Sequence, residues 1–252
     1  MEKELVFGRF RNYIGLHGTF VDAIASRDLE GSKLVSAQHI QNRVVRDGNE
    51  SHITIISPPE LKYLTEKRAE TLSKKDFHRE IITKVTDHYG NVDTWVKPID
   101  LGIGSCREGD NVSYFKVIHW PLGQNIRIVG FGLKEIYNFH ITVGFHPIDV
   151  HLYKGPGSLC DLQHLSCSKE RLKSLIELVP FYYHDTIFMR ALYKQCTHLK
   201  ARKELLKLSK LYLLANLYSI YSESKTVLNP LLKVCGISAL LGFAVAYCLR
   251  KS

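Results

Sequence analysis

The sequence predicts an α+β fold made of a duplicated lobe and completed by a C-terminal α-helical extension. Three observations predict it. Ser51-His-Ile-Thr-Ile-Ile56 and Asn138-Phe-His-Ile-Thr-Val-Gly-Phe145 are short β-branched apolar runs, each with a His two residues ahead of a Thr. A faint repeat precedes both: Gln41-Asn-Arg-Val-Val and Gln124-Asn-Ile-Arg-Ile-Val each lead to a glycine, a short connection and the His-Ile-Thr run. After Lys154-Gly-Pro-Gly157 the apolar residues recur at spacings of three and four, the pattern of packed helices.

Taken in order, residues 6–16 alternate loosely and read as a first strand. Residues 33–45 are moderately helical and stop at the breaker Arg46-Asp-Gly48, ahead of the first His-Ile-Thr strand. Ser57-Pro-Pro59 ends that strand, because proline has no ladder donor. Leu61, Leu64, Leu72, Phe77, Ile81, Ile82 and Val85 lie at near-helical spacing, so residues 60–88 read as one or two amphipathic helices broken near Ser73. Residues 95–103 and 112–120 read as strands around the turn signal Arg107-Glu-Gly-Asp-Asn111, and Pro121 closes the second. Residues 124–131 read as a short helix stopped at Gly132, followed by the second His-Ile-Thr strand. Helices are expected over 168–178, 184–199 and 201–221, with Pro180 as a break. The expected division is a first domain over 1–157, a helical extension over 158–228 and an apolar terminal helix over 229–252.

Alternate side chains of a strand share a face, so His52 and Thr54 point one way while Ile53 and Ile55 point the other. The same holds for His140 and Thr142 against Ile141 and Val143. His-x-Thr/Ser alone is a weak pattern, and His17-Gly-Thr19, His164-Leu-Ser166 and His184-Asp-Thr186 also match it. These three read as a glycine turn, a polar loop and a helical stretch. A single motif strand reads as a core histidine beside a sheet hydroxyl; two in matching contexts favour a site.

Two imidazoles and two hydroxyls around one cleft suit phosphodiester hydrolysis. Histidine's ordinary pKa near 6.5 allows one ring to be neutral and the other charged at neutral pH. Each Thr sits about 7 Å along its strand from the His, where its hydroxyl can donate to non-bridging oxygens. Which His is the acid is left open. Tyr13 can line the cleft from the first strand, Arg127 can fork onto phosphate, and Trp120 can stack a base. His146 falls on the alternation of His140 and Thr142 until Pro147 ends the strand, and His151 and Lys154 lie just beyond as substrate-side candidates.

A formal net charge of +9 suits anionic partners as well as ordinary solubility. The six cysteines lack the paired spacing of a zinc site, so no metal is expected. The charged start Met1-Glu-Lys-Glu-Leu-Val is no signal peptide, which fits reduced thiols in the cytoplasm. Residues 234–249 carry no charge and are bounded by Lys233 and Arg250-Lys251. A span needs about 20 residues, with roughly 17 as the lower limit. Residues 231–249 therefore read either as a tail anchor on the cytosolic face of an intracellular membrane or as a buried helix against 201–221. No oligomeric state follows from the sequence.

The motifs Ser51-His-Ile-Thr-Ile-Ile-Ser-Pro-Pro-Glu60, Trp120-Pro-Leu-Gly-Gln124 with Arg127, and Phe139-His-Ile-Thr-Val-Gly-Phe145 with Asp149-Val-His151 resemble the two-histidine (2H) phosphoesterase superfamily. The closer likeness is to the branch of Swiss Army Knife RNA-repair-like proteins. It covers about residues 6–157. The resemblance implies a bilobal LigT-like fold, with mostly antiparallel sheets, helices outside and a cleft between the lobes. It implies a metal-independent phosphodiesterase without cofactor, acting on RNA ends or nucleotide cyclic phosphates, with His52 and His140 as acid and base and Thr54 and Thr142 on the phosphate. The alternative is a non-catalytic RNA- or nucleotide-binding module, tethered to a membrane by its tail.

Overall fold

The computed structural model describes residues 3–10, 12–29, 33–68, 74–164, 167–197 and 199–224. The apolar segment expected over 229–252 lies outside them. Among the described residues no helix is long and apolar enough to cross a membrane.

The first lobe opens with β1 (Val6–Phe10) and β2 (Tyr13–His17), which pair antiparallel from Phe10 opposite Tyr13 to Val6 opposite His17. The single strand expected over 6–16 is therefore a hairpin. Its loose alternation runs through the reversal, so hydropathy alone gives no break. Gly18 then starts α1 (Thr19–Ser26), a helix the sequence reading passes over as a turn. Gly18 has φ 114°, and a Cβ there would meet the Glu4 carbonyl oxygen at 2.5 Å, so only glycine fits this corner. Next come α2 (Ala37–Asp47), capped by the Ser36 side chain, and β3 (Ile53–Ile56). The expected amphipathic stretch is two helices, α3 (Pro58–Arg68) and α4 (Lys74–Tyr89).

The second lobe is a meander. The strands β4 (Ile99–Glu108) and β5 (Asn111–His119) meet at the expected turn, and α5 (Pro121–Asn125) continues into a π turn at Ile126–Gly130 before β6 (His140–His146). β4 starts later than expected because Pro98 has no N–H to offer a ladder. The extension follows as α6 (Cys160–Gln163), α7 (Lys169–Ile176), α8 (Val179–Tyr182), α9 (Thr186–Gln195) and α10 (Leu199–Ser224). Pro180 sits in the first turn of α8, where its missing N–H costs nothing.

The architecture is thus α+β and bilobal, with two three-stranded antiparallel sheets ordered β1-β2-β3 and β4-β5-β6. Both motif strands are sheet edges, and their Cα atoms come within 8 Å of each other. The edges meet without joining into one sheet. Behind them lies a shared core of Ile14, Leu16, Ile53 and Ile55 from one lobe and Ile118, Ile141 and Val143 from the other. Fully burying each such side chain contributes about 2 kcal/mol. A second core joins Leu101, Phe115 and Val117 of the β4-β5-β6 sheet to Leu159, Leu175, Phe188 and Leu192. The helical extension is packed on this sheet, on the face that Phe115 shares with His140 and Thr142.

Candidate active site

Alternation sets the two chemical faces. In β3, Ile53 and Ile55 are buried while Thr54 is half-buried; in β6, Ile141 and Val143 are buried while His140 and Thr142 are half-buried. Among the described residues neither Thr hydroxyl has a hydrogen-bond partner in the protein, so each remains available to a ligand oxygen. In sheet register Gly15 faces Thr54 and Phe115 faces Thr142.

His52 sits in an aromatic corner. The Tyr13 ring lies 4.7 Å from it and the His17 ring is stacked 5.5 Å away. The Tyr13 hydroxyl and His17 Nε2 are hydrogen-bonded at 2.8 Å. Burial pushes the His52 pKa down to about 4; Asp47 opposes this, while His17, Arg46 and Arg43 add to it. Burial likewise lowers His17, against the carboxylates of Glu50 and Asp22. His17-Gly-Thr19 matches the weak motif, and its His does stand in the site. It does so as the last residue of β2, ahead of the glycine corner.

His140 is fixed differently. Its Nδ1 lies 2.9 Å from the Asn138 carbonyl oxygen, which only accepts, so Nδ1 carries the proton and Nε2 keeps its lone pair. Burial first, and then the Lys154 ammonium, push its pKa down to about 3; the Asn138 carbonyl and Asp149 oppose, and His52 adds a further lowering. The Phe115 ring stands edge-on 5.9 Å away, and Lys154 Nζ lies 5.4 Å over that ring.

Lys154 is 5% exposed and donates to Asp149 Oδ1 at 3.2 Å. Asp149 also accepts from Ser113 Oγ at 2.7 Å and from Arg46 of α2. Burial alone would raise the Asp149 carboxyl, but Lys154, Ser113 and Arg46 hold it at about 2. Arg46 also binds the neighbouring Asp47 at 2.7 Å. One helix, α2, therefore links the charges felt by His52 to those felt by His140. Lys154 lies in the expected region beyond the motif; the network that holds it has no pattern in the sequence, because its members come from three separate stretches, α2, β5 and the segment after β6.

Two expected site residues lie elsewhere. Trp120 is 2% exposed, its Nε1 donates to the Val96 carbonyl at 2.8 Å, and its ring packs on Trp95 and Phe139. It is a core indole with no face for a base. Arg127 is 1% exposed and spends its fork inside the protein. It donates to Glu60 Oε1 at 2.7 Å, to Oε2 at 3.1 Å and to the Ile55 carbonyl at 2.5 Å, and its guanidinium lies 4.1 Å over Tyr137. Burial alone would raise the Glu60 carboxyl, but Arg127 and Ser57 hold it below the usual range. Arg127 is a clamp on β3, one residue from Thr54. Arg127→Ala strands a carboxylate and a carbonyl, and should cost about 3 kcal/mol in urea unfolding. The KM of the remaining folded enzyme should stay within about a factor of 2; a raised KM at full stability would return Arg127 to the phosphate.

His146 points away from the pair. The register slips at Phe115, so Val143 is extra, and His146 is exposed beside the Asn42 amide at 3.2 Å. His151 is exposed. An aromatic hollow of about 280 Å³ between α8 and the end of β5 includes neither histidine of the pair. Among the described residues there is no group of three or more His, Cys, Asp or Glu arranged to hold a metal ion.

A family model described as Swiss Army Knife, 2H phosphoesterase domain, matches residues 12–151, more than half of the chain. The match takes in Tyr13 and both His-x-Thr strands and stops three residues short of Lys154. No curated protein and no solved structure gives a match.

Proposed function

The chain belongs to the Swiss Army Knife 2H phosphoesterase family, whose members are phosphodiesterase-type enzymes, and we propose that it opens nucleotide cyclic phosphates or trims RNA ends without a metal, with His52 as acid and His140 as base. The observation that carries this reading is the meeting of two sheet edges, each presenting a half-buried His and a Thr with no protein partner.

The roles follow from the neighbours. The Asn138 carbonyl holds the Nδ1–H tautomer of His140, leaving Nε2 to take a proton from water. Lys154 beside it disfavours an imidazolium. His52 has Asp47 as its leading charge, which favours the protonated ring. In the empty site burial keeps both rings neutral at neutral pH. A phosphodiester brings a negative charge between them, raises both pKa values, and His52 is first to take up a proton. It then gives that proton to the leaving oxygen while water, deprotonated by His140, attacks from the other side. Thr54 and Thr142 donate to the non-bridging oxygens. Lys154, less strongly hydrated in its buried position, adds a fixed charge at the side of the base.

Turnover of 2′,3′-cyclic nucleotides and of RNA with a 2′,3′-cyclic end, in EDTA, tests the reading. Activity that needs an added metal overturns it, and binding without turnover assigns the cleft to a nucleotide-binding module. Lys154→Met should lower kcat/KM at neutral pH at least about tenfold, the loss of one charge-assisted contact. It should also raise the pKa of His140, visible as an acid limb moved to higher pH. Unchanged rates and an unchanged limb would make Lys154 a purely structural partner of Asp149.

A further inference from the structure

We propose that the outward face of α10 docks on an anionic lipid surface. The helix turns one stripe inward: Leu205 is buried, and Ala201, Leu208 and Tyr212 pack on the second core, with the Tyr212 ring 5.9 Å from that of Tyr183. This i, i+4, i+7, i+11 stripe satisfies the apolar side of the helix. The opposite side should then be polar throughout, and it is only partly so. Leu206, Leu211 and Leu214 are 45%, 59% and 52% exposed. At 3.6 residues per turn they interleave with the exposed Lys203, Lys207 and Lys210, and Glu204 is the acid at their margin.

Alternating leucine and lysine on one arc matches a bilayer interface. The leucines enter the acyl boundary while lysine stems lie along the helix and lift their ammoniums to the phosphate plane. The three lysines forbid a span and set the helix parallel to the surface, consistent with no described helix being apolar enough to cross. The charge selects anionic over neutral headgroups. Beyond Ser224 the sequence holds a second apolar stretch, the uncharged residues 234–249, bounded by Lys233 and by Arg250-Lys251. The competing occupant of the leucine face is the apolar segment itself, folded back. This inference does not depend on the catalytic reading.

The test uses the full chain carrying Leu211→Trp. The two native tryptophans are buried at 5% and 2% exposure, so the new indole alone reports from water. Its emission should be red in buffer and shift to the blue on vesicles of phosphatidylcholine and phosphatidylserine in equal parts. Vesicles of phosphatidylcholine alone should require at least about tenfold more lipid. Adding Lys203→Glu, Lys207→Glu and Lys210→Glu should weaken binding to the anionic vesicles by about a hundredfold or more, with unchanged circular dichroism. Blue emission before any lipid is added would show the face already covered by the chain's own segment. That result, equal binding to both vesicles, or binding that survives the three charge reversals, each overturns the proposal.

Discussion

Replacing either His52 or His140 by alanine should lower turnover of a 2′,3′-cyclic nucleotide by about a thousandfold, and by as much as about ten-thousandfold. In the proposed mechanism each ring carries a proton that no other group in the site can move as well. His17 stands 5.5 Å from His52, yet it is held by Tyr13 and faces Glu50, so it cannot take over. On the other side the Lys154 ammonium is a donor held by Asp149, with no acceptor atom to take a proton. Removing both histidines should cost little more than removing one, because the proposed acid and base act as a unit. Both are half-buried on strand edges, and alanine leaves the two cores untouched, so folding should be preserved. Steady-state rates with circular dichroism as the control decide it; a single variant that keeps a tenth of the activity would remove that ring from the chemistry.

The second large effect is on pH. In the proposed mechanism the competent free enzyme has His52 protonated and His140 neutral. With pKa values pushed to about 4 and about 3 by burial, this form is scarce at neutral pH. kcat/KM, which reports the free enzyme, should therefore fall about tenfold per pH unit above pH 5. From pH 5 to pH 8 the loss should reach about a thousandfold. kcat should hold its plateau to higher pH, because the bound anion raises His52. Stability runs in the opposite sense. A base whose folded pKa is lowered keeps its stability above the unfolded value near 6.5 and loses it as pH falls toward the folded value, since the unfolded chain takes up protons the folded one refuses. Rates at low pH must therefore be initial rates. A kcat/KM bell centred on pH 7 would mean that burial does not control these rings.

Much of this was legible in the sequence, for definite reasons. β3 and β6 are short and β-branched and alternate through His52–Ile55 and His140–Val143, so their conformation and the faces of both His-Thr pairs could be read from period two. The helices around Ser36 and Ser168 carry their own caps, and Pro147 ends β6 as expected. The roles of Trp120 and Arg127 could not be read. A buried indole and a stacking one have the same letter, and whether an arginine meets Glu60 or a phosphate is decided 67 residues away in the chain. His17 was hidden by the glycine beside it, which looks like a loop until the strand pairing with Val6 is known. The Asp149 network draws on α2, β5 and the segment after β6, and no local pattern announces it. Placement of the extension on the His140 face is likewise a tertiary fact, set by Phe115 and Val117.

The most direct test is a titration of the full chain labelled with ¹⁵N-histidine, without ligand and then with a nucleoside 2′-phosphate. The account predicts that His140 stays neutral with its proton on Nδ1, that neither His52 nor His140 titrates above pH 5 when the site is empty, and that both respond when the nucleotide binds, His52 by taking up a proton. Two rings that titrate near 6.5 and ignore the nucleotide would contradict it.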